Sequence, residues 1–129
     1  MGRRLISSGA AFEDRVGYSR AVVAGGHVFV SGTAPIMPDD ADPPGDAYGQ
    51  ARRCLEIIEA ALQEAGSGLE HVVRTRIYVT DIESWEKVGK AHGEFFGEIR
   101  PATTMVEVSH LVSEDMLVEI EAEAIVDSP

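Results

Sequence analysis

Cysteine is nearly absent: Cys54 stands alone, so no internal disulfide can form and no thiol pair offers the spacing of a zinc site. A reducing compartment, the cytoplasm, is the expected location. Basic clusters are missing as well. The longest are the pairs Arg3-Arg4 and Arg52-Arg53, and 11 Lys and Arg stand against 22 Asp and Glu for a formal charge of −11. Nucleic-acid binding depends on a basic footprint that neutralises phosphates, so no nucleic-acid partner is expected. No run approaches eighteen apolar residues, and MGRRLISSGAAFEDR lacks the apolar core of a secretory signal. Neither a membrane span nor export by that route is expected. Internal repeats, linkers and low-complexity tracts are also lacking.

What is present suits one folded domain, expected to span residues 1–129. Hydrophobic residues make up 44% of the chain and charged residues 26%, too apolar and too mixed for disorder. A chain of this length buries roughly two-thirds of its unfolded surface in a single core.

Periodicity then assigns the elements. Residues 18–23 and 27–31 are short β-branched runs joined at Gly25-Gly26, the signature of a β-hairpin. Residues 37–47 hold three prolines and four aspartates, a loop that ends where Asp46 can cap a helix. Ala47, Ala51, Leu55, Ile58, Leu62 and Ala65 recur at helical spacing until Gly66 and Gly68 stop the run. VVRTRIYVTD (72–81) alternates strictly, with Val73, Thr75, Ile77 and Val79 opposite Arg74, Arg76, Tyr78 and Thr80. Asp81 or Ser84 then caps a second helix, whose stripe of Trp85, Val88, His92 and Phe95 or Phe96 ends at Gly97. RPATTMVEVS (100–109) reads as an edge-entering strand, and residues 116–126 close the chain with Val118, Ile120, Ala122 and Ala124 facing away from Glu119, Glu121 and Glu123.

The order is ββαβαββ, an α+β sheet with both helices on one face, because each crossover is right-handed. The other face carries Arg74, Arg76, Glu119, Glu121 and Glu123 interspersed with Tyr78 and Met105. That mixture suits a wet interface of a symmetric homo-oligomer.

The segments GYSRAVVAGGHVFVSGTAPI, QARRCLEIIEAALQEAG, VVRTRIYVTDI, RPATTMVEV and VEIEAEA together resemble the RidA (YjgF-type) family of reactive-intermediate deaminases, over about residues 12–126. The resemblance implies a chorismate-mutase-like ββαβαββ fold and a homotrimer with small-molecule pockets between subunits. It also implies metabolite-damage chemistry: hydrolysis of enamines and imines to ammonia and a 2-oxo acid, without metal or cofactor.

Residue by residue, the likeness is uneven. Glu119 matches the position that handles the catalytic water; among interfacial charges it can equally be an ion-pair partner of Arg74 or Arg76. Tyr18 matches the pocket tyrosine, and Ser31 and Gly32 match the turn whose backbone approaches the ligand. Thr103 stands where the deaminases carry the arginine that grips a substrate carboxylate, and Gly89 stands where they carry asparagine. His92, one turn along, can fill the space left by Gly89 or sit at the core edge bonded to a carbonyl. Met105 takes a position that is often cysteine and serves only as wall, since a thioether is no nucleophile. Arg20 projects to the same side as Tyr18 and is the preferred replacement cation, ahead of Arg100. Cys54 reads as a small buried hydrophobe.

Two functions follow. One is a hydrolase of reactive enamines or imines with altered substrate preference, using Glu119 for water and Thr103, Thr104 or backbone groups for the ligand. The other is a non-catalytic trimer that binds a metabolite in the same interfacial pocket. A ribonuclease reading conflicts with the charge of −11.

Overall fold

Alternating apolar residues in 72–79 and 118–125 decide the architecture. The computed structural model describes residues 2–126, so the domain span of 1–129 runs past the described residues at both ends. Six strands, β1 (Arg4–Ile6), β2 (Ala21–Ala24), β3 (His27–Thr33), β4 (Val72–Val79), β5 (Ala102–Glu107) and β6 (Val118–Ile125), form one sheet in the order β1-β2-β3-β6-β4-β5. The last strand therefore lies at the centre, antiparallel to both β3 and β4, while β5 runs parallel to β4 at one edge. Gly25 and Gly26 both take positive φ in the β2–β3 turn, as a tight hairpin requires.

A short helix α1 (Ala11–Val16) precedes the hairpin, and helices α2 (Ala47–Glu64) and α3 (Trp85–Phe96) cover one face of the sheet. Leu55, Ile58 and Leu62 of α2 and Val88 and Phe96 of α3 are buried against Val28, Ile77, Val79, Val118 and Ile120. Each such side chain contributes about 1.5–3 kcal/mol by leaving water. Gly66, at φ 85°, ends α2, with Ser67 N donating to Leu62 O at 2.8 Å. Asp46 occupies the N-cap position of α2, but its side chain makes no capping hydrogen bond. Asp81 does cap: it accepts from Glu83 N at 3.0 Å in the 3-10 turn that leads into α3.

Three departures from the sequence expectation matter for the site. First, β1 and α1 stand ahead of the hairpin, adding an edge strand and a helix to the expected order. Three and six residues are too short to show a period. Second, Met105 is not on the uncovered face. It pairs with Ile77 in the parallel ladder and packs against the core, while its neighbours Thr104 and Val106 are exposed. Third, β3 carries a bulge: between the pairs Val30↔Ala122 and Thr33↔Ile120, both Ser31 and Gly32 oppose the single residue Glu121.

The uncovered face joins apolar and charged rows. Leu5, Val22 and Phe29 lie side by side with Glu123, and Val106 beside Tyr78. Leu5 is 58% exposed, Phe29 46% and Val106 41%, a large apolar area for a solvated surface.

Candidate functional site

Glu119 begins β6 on the uncovered face, paired with Tyr78. The bulge at Ser31-Gly32 brings the β3 backbone under its carboxylate, where a Cβ on Gly32 would collide with Oε2. A side chain at Gly32 would have to displace the Glu119 carboxylate from this position. The neighbouring charges are already committed to each other: Arg76 Nη1 lies 3.1 Å from Glu123 and 3.4 Å from Glu121, and Tyr78 donates to Glu121 at 2.8 Å. Glu119 takes no part in that Arg76 ion network, one of the two roles its position allows. Its cation is Arg20. Burial pushes the Glu119 carboxyl above its usual range, Arg20 partly opposes this, and Glu121 adds to it.

Arg20 is held by its own surroundings. It donates to the Gly32 carbonyl at 2.6 Å, its guanidinium carbon lies 5.9 Å from the Tyr18 ring centre, and its buried Nε has no partner within the described residues. The Ser31 hydroxyl donates to Ser19 O at 2.7 Å. A groove of about 580 Å³ runs alongside, lined by Leu5, Glu13, Tyr18, Ser19, Val22 and Ser31. Glu13, only 4% exposed, fastens this corner by accepting from Ser7 Oγ at 2.9 Å and from both the backbone and hydroxyl of Ser8. Burial works against its charge, but those bonds prevail and hold the carboxyl below its ordinary range.

A second cluster lies on the opposite, helix-covered side. His92 Nε2 is 2.9 Å from Thr75 Oγ1, which is 2.8 Å from Thr103 Oγ1, and Thr103 donates to Pro101 O at 3.2 Å. Thr75 is fully buried and Thr103 is exposed at the mouth of β5. The His92 ring tilts against Phe96 at 4.7 Å between centres, and burial lowers its pKa, favouring the neutral imidazole. His92 therefore neither fills the space beside Gly89 nor bonds a carbonyl. Nothing lies within 4 Å of where a Gly89 Cβ would stand.

The predicted residues thus divide into two half-sites. Tyr18, Arg20, Ser31 and Gly32 gather around Glu119; His92 and Thr103 gather around Thr75, with Met105 on the same side of β5. Thr104 belongs to neither, since it pairs with Arg76 on the open face. Arg100 is exposed at φ 58°, its N–H capping the end of α3 by donating to Phe96 O at 2.8 Å. Burial drives the Cys54 thiol far above its ordinary range, so it is inert at neutral pH.

Sequence reasoning missed three contributors. Thr75 is visible as a polar residue on an otherwise apolar strand face. Glu13 gives no such signal. Gln50, buried on α2, donates to Pro44 O and Asp115 O at 2.8 Å each and accepts from Leu117 N at 2.7 Å, fixing the start of β6 two residues before Glu119. Among the described residues, no group of three or more His, Cys, Asp or Glu could hold a metal, and no helix is long and apolar enough to cross a membrane.

A six-stranded sheet with helices on one face, a glycine bulge beneath a glutamate and an edge strand opened by Pro-Ala define a chorismate-mutase-like α+β protein. The Endoribonuclease L-PSP family model matches residues 8–126, and the chain belongs to that family, the YjgF/RidA proteins. A RutC family protein of Pyrococcus abyssi is 41% identical over 106 residues, covering 81% of this chain and 83% of that protein. Rv2704 of Mycobacterium tuberculosis, a YjgF/YER057c/UK114 family member of known crystal structure, is 50% identical with a TM-score of 0.89, covering 97% of this chain and all of that one (100%). Escherichia coli TdcF, crystallised with bound serine, is 28% identical with a TM-score of 0.80, covering 96% of this chain and 94% of that one.

Proposed function

We propose that this protein hydrolyses reactive imines or enamines, with a substrate preference moved away from 2-imino carboxylates. The carrying observation is Glu119: half-buried, free of the Arg76 ion network, raised in pKa and held over a glycine backbone beside Arg20. A carboxylate so placed can take a proton from water while the oxygen attacks the C=N carbon. The same proton then passes to nitrogen, giving a carbinolamine; Glu119 next carries the remaining hydroxyl proton to nitrogen, so that the C–N bond breaks and ammonia leaves as the carbonyl forms. No metal or cofactor is called for.

The two half-sites face opposite sides of the sheet within one chain. The reading therefore joins them across subunits, Glu119 of one protomer meeting the Thr103 edge of the next in a homotrimer, the assembly common in this family. The exposed Leu5, Phe29 and Val106 support burial of that face. Sedimentation equilibrium should give a trimer mass; a monomer at all concentrations would remove the joined pocket.

A second reading, a non-catalytic metabolite binder, draws on the serine held by TdcF and on the departures at Gly89 and Thr103. Ribonuclease activity, suggested by the family's name, is opposed by the charge of −11 and the absence of a basic cluster. The decisive assay follows semicarbazone formation from 2-iminopropanoate, generated by an amino-acid oxidase, and from an imine without a carboxylate. Acceleration is expected mainly for the second. Acceleration of neither, with retained ligand binding, would favour the binder.

A further inference from the structure

Each hydroxyl carries one proton, and the bonds around Thr75 and Thr103 use every one. The carbonyl of Pro101 can only accept, so the Thr103 hydroxyl, 3.2 Å away, gives its proton there. Thr75 must then donate across the 2.8 Å contact to Thr103. Its own oxygen is left to accept at 2.9 Å from His92, which must carry its proton on Nε2. The reverse order would put the histidine proton on Nδ1 and leave the Pro101 carbonyl unbonded by Thr103.

We propose that His92, Thr75 and Thr103 form one directional relay of neutral donors running from His92 to Pro101, whose open end, a lone pair on Thr103, selects ligands presenting a primary amide and rejects carboxylates. Nothing in the relay is positively charged or has a proton to spare for an anion. A carboxylate set against Thr103 would meet lone pairs, and to gain a bond it would have to displace the Pro101 carbonyl. A carboxamide N–H fits the open acceptor directly. Thr75, fully buried between the two, is the positioning residue. The ligand assignment rests on the interfacial pocket proposed above; the proton order does not.

The test uses the full-length protein with nitrogen-15 histidine. Ring nitrogen and proton correlations report the tautomer of His92, assigned by loss of its signals in His92→Gln. Pyruvate and pyruvamide, which differ only in carboxylate against carboxamide, are then titrated by calorimetry. Expected are the Nε2–H tautomer in the wild type and about tenfold tighter binding of pyruvamide. Thr75→Val, which keeps the shape of the buried side chain, should let His92 sample both tautomers. Thr103→Val, at an exposed position that tolerates the change, should erase the preference for the amide.

An Nδ1–H tautomer in the wild type would reverse the relay and overturn the proposal. Equal or tighter binding of pyruvate, or binding of neither compound, would overturn the ligand assignment. Loss of imine hydrolysis with tautomer and preference intact would instead sink the hydrolase reading and leave the relay standing.

Discussion

The two half-sites solve the problem of a polar pocket in opposite ways. Around Glu119, charge is kept: a carboxylate and a guanidinium sit together over a bulge where glycine removes the side chain that would separate them. Around Thr75, charge is absent: two hydroxyls and a neutral imidazole satisfy one another at the helix-covered edge. The first arrangement can move a proton, because a carboxyl raised by burial is nearer in basicity to the water it must activate. The second can only orient and discriminate. A pocket made by bringing them together across subunits would have one reactive wall and one selective wall.

The largest expected effect would break the reactive wall. Glu119→Gln keeps size and hydrogen-bonding reach but removes the base, so turnover of a true imine substrate should fall about 10²–10⁴-fold with binding little changed. Because Glu119 lies outside the Arg76 network, the thermal midpoint should hold or rise slightly. A lowered midpoint with unchanged turnover would return Glu119 to a structural role.

Adding a cation to the selective wall is the next test. Thr103→Arg puts a guanidinium at the mouth of β5, where Thr103 is exposed. A charged hydrogen bond to a substrate carboxylate is worth about 1.5–3 kcal/mol, so hydrolysis of 2-iminopropanoate should improve roughly 10- to 100-fold. No improvement would mean that Arg20, with its unpartnered Nε, already serves the carboxylate.

How much of this is legible in the sequence differs between the two walls. Strict alternation in 118–125 places Glu119 on the open face, and the Ser-Gly pair marks the close approach at β3. The sequence cannot say that a bulge centred there aims the backbone at Glu119, because a bulge depends on ladder register between residues some ninety positions apart. At the other wall, Thr103 and His92 both stand out, but the residue that joins them does not. Thr75 shows only as a polar residue on an otherwise apolar strand face, and it takes the parallel register Thr75↔Thr103 to make it a link. The same register moves Met105 to the core side, since period-two patterning tells which residues share a face and not which face that is. Short elements such as α1 are invisible for want of length.

The walls should also bear opposite pH signatures in stability. Burial lowers the His92 pKa, so the unfolded chain takes up that proton first. Stability is then complete above the ordinary histidine value of about 6.5 and declines as pH falls from there toward the lowered folded value. Burial raises the Glu119 pKa, so its contribution runs the other way: stability declines as pH rises from the ordinary glutamate value to the raised one. Denaturant midpoints measured across pH should lose the first slope in His92→Gln and the second in Glu119→Gln. A slope near neutrality that survives His92→Gln would assign it to another of the chain's histidines.

The smallest expected change concerns the helix that carries the selective wall. Gly89 lies within α3, half-buried, with no atom within 4 Å of the place a Cβ would take and no positive φ that calls for glycine. Glycine in a helix interior costs about 0.8–1.0 kcal/mol relative to alanine, so Gly89→Ala should stabilise the isolated fold by about that amount. For a chain of this size the melting temperature should rise by roughly 3–6 °C. The sign is more informative than the size. A glycine retained at such a cost beside open space suits a surface that something else approaches, and in a trimer the neighbouring subunit or its ligand is the nearest candidate. If Gly89→Ala raises the midpoint and leaves assembly unchanged, the space is free and available to a ligand. If it lowers the midpoint or weakens whatever assembly the protein forms, the methyl is meeting a neighbour, and the selective wall is already closed by protein at that point.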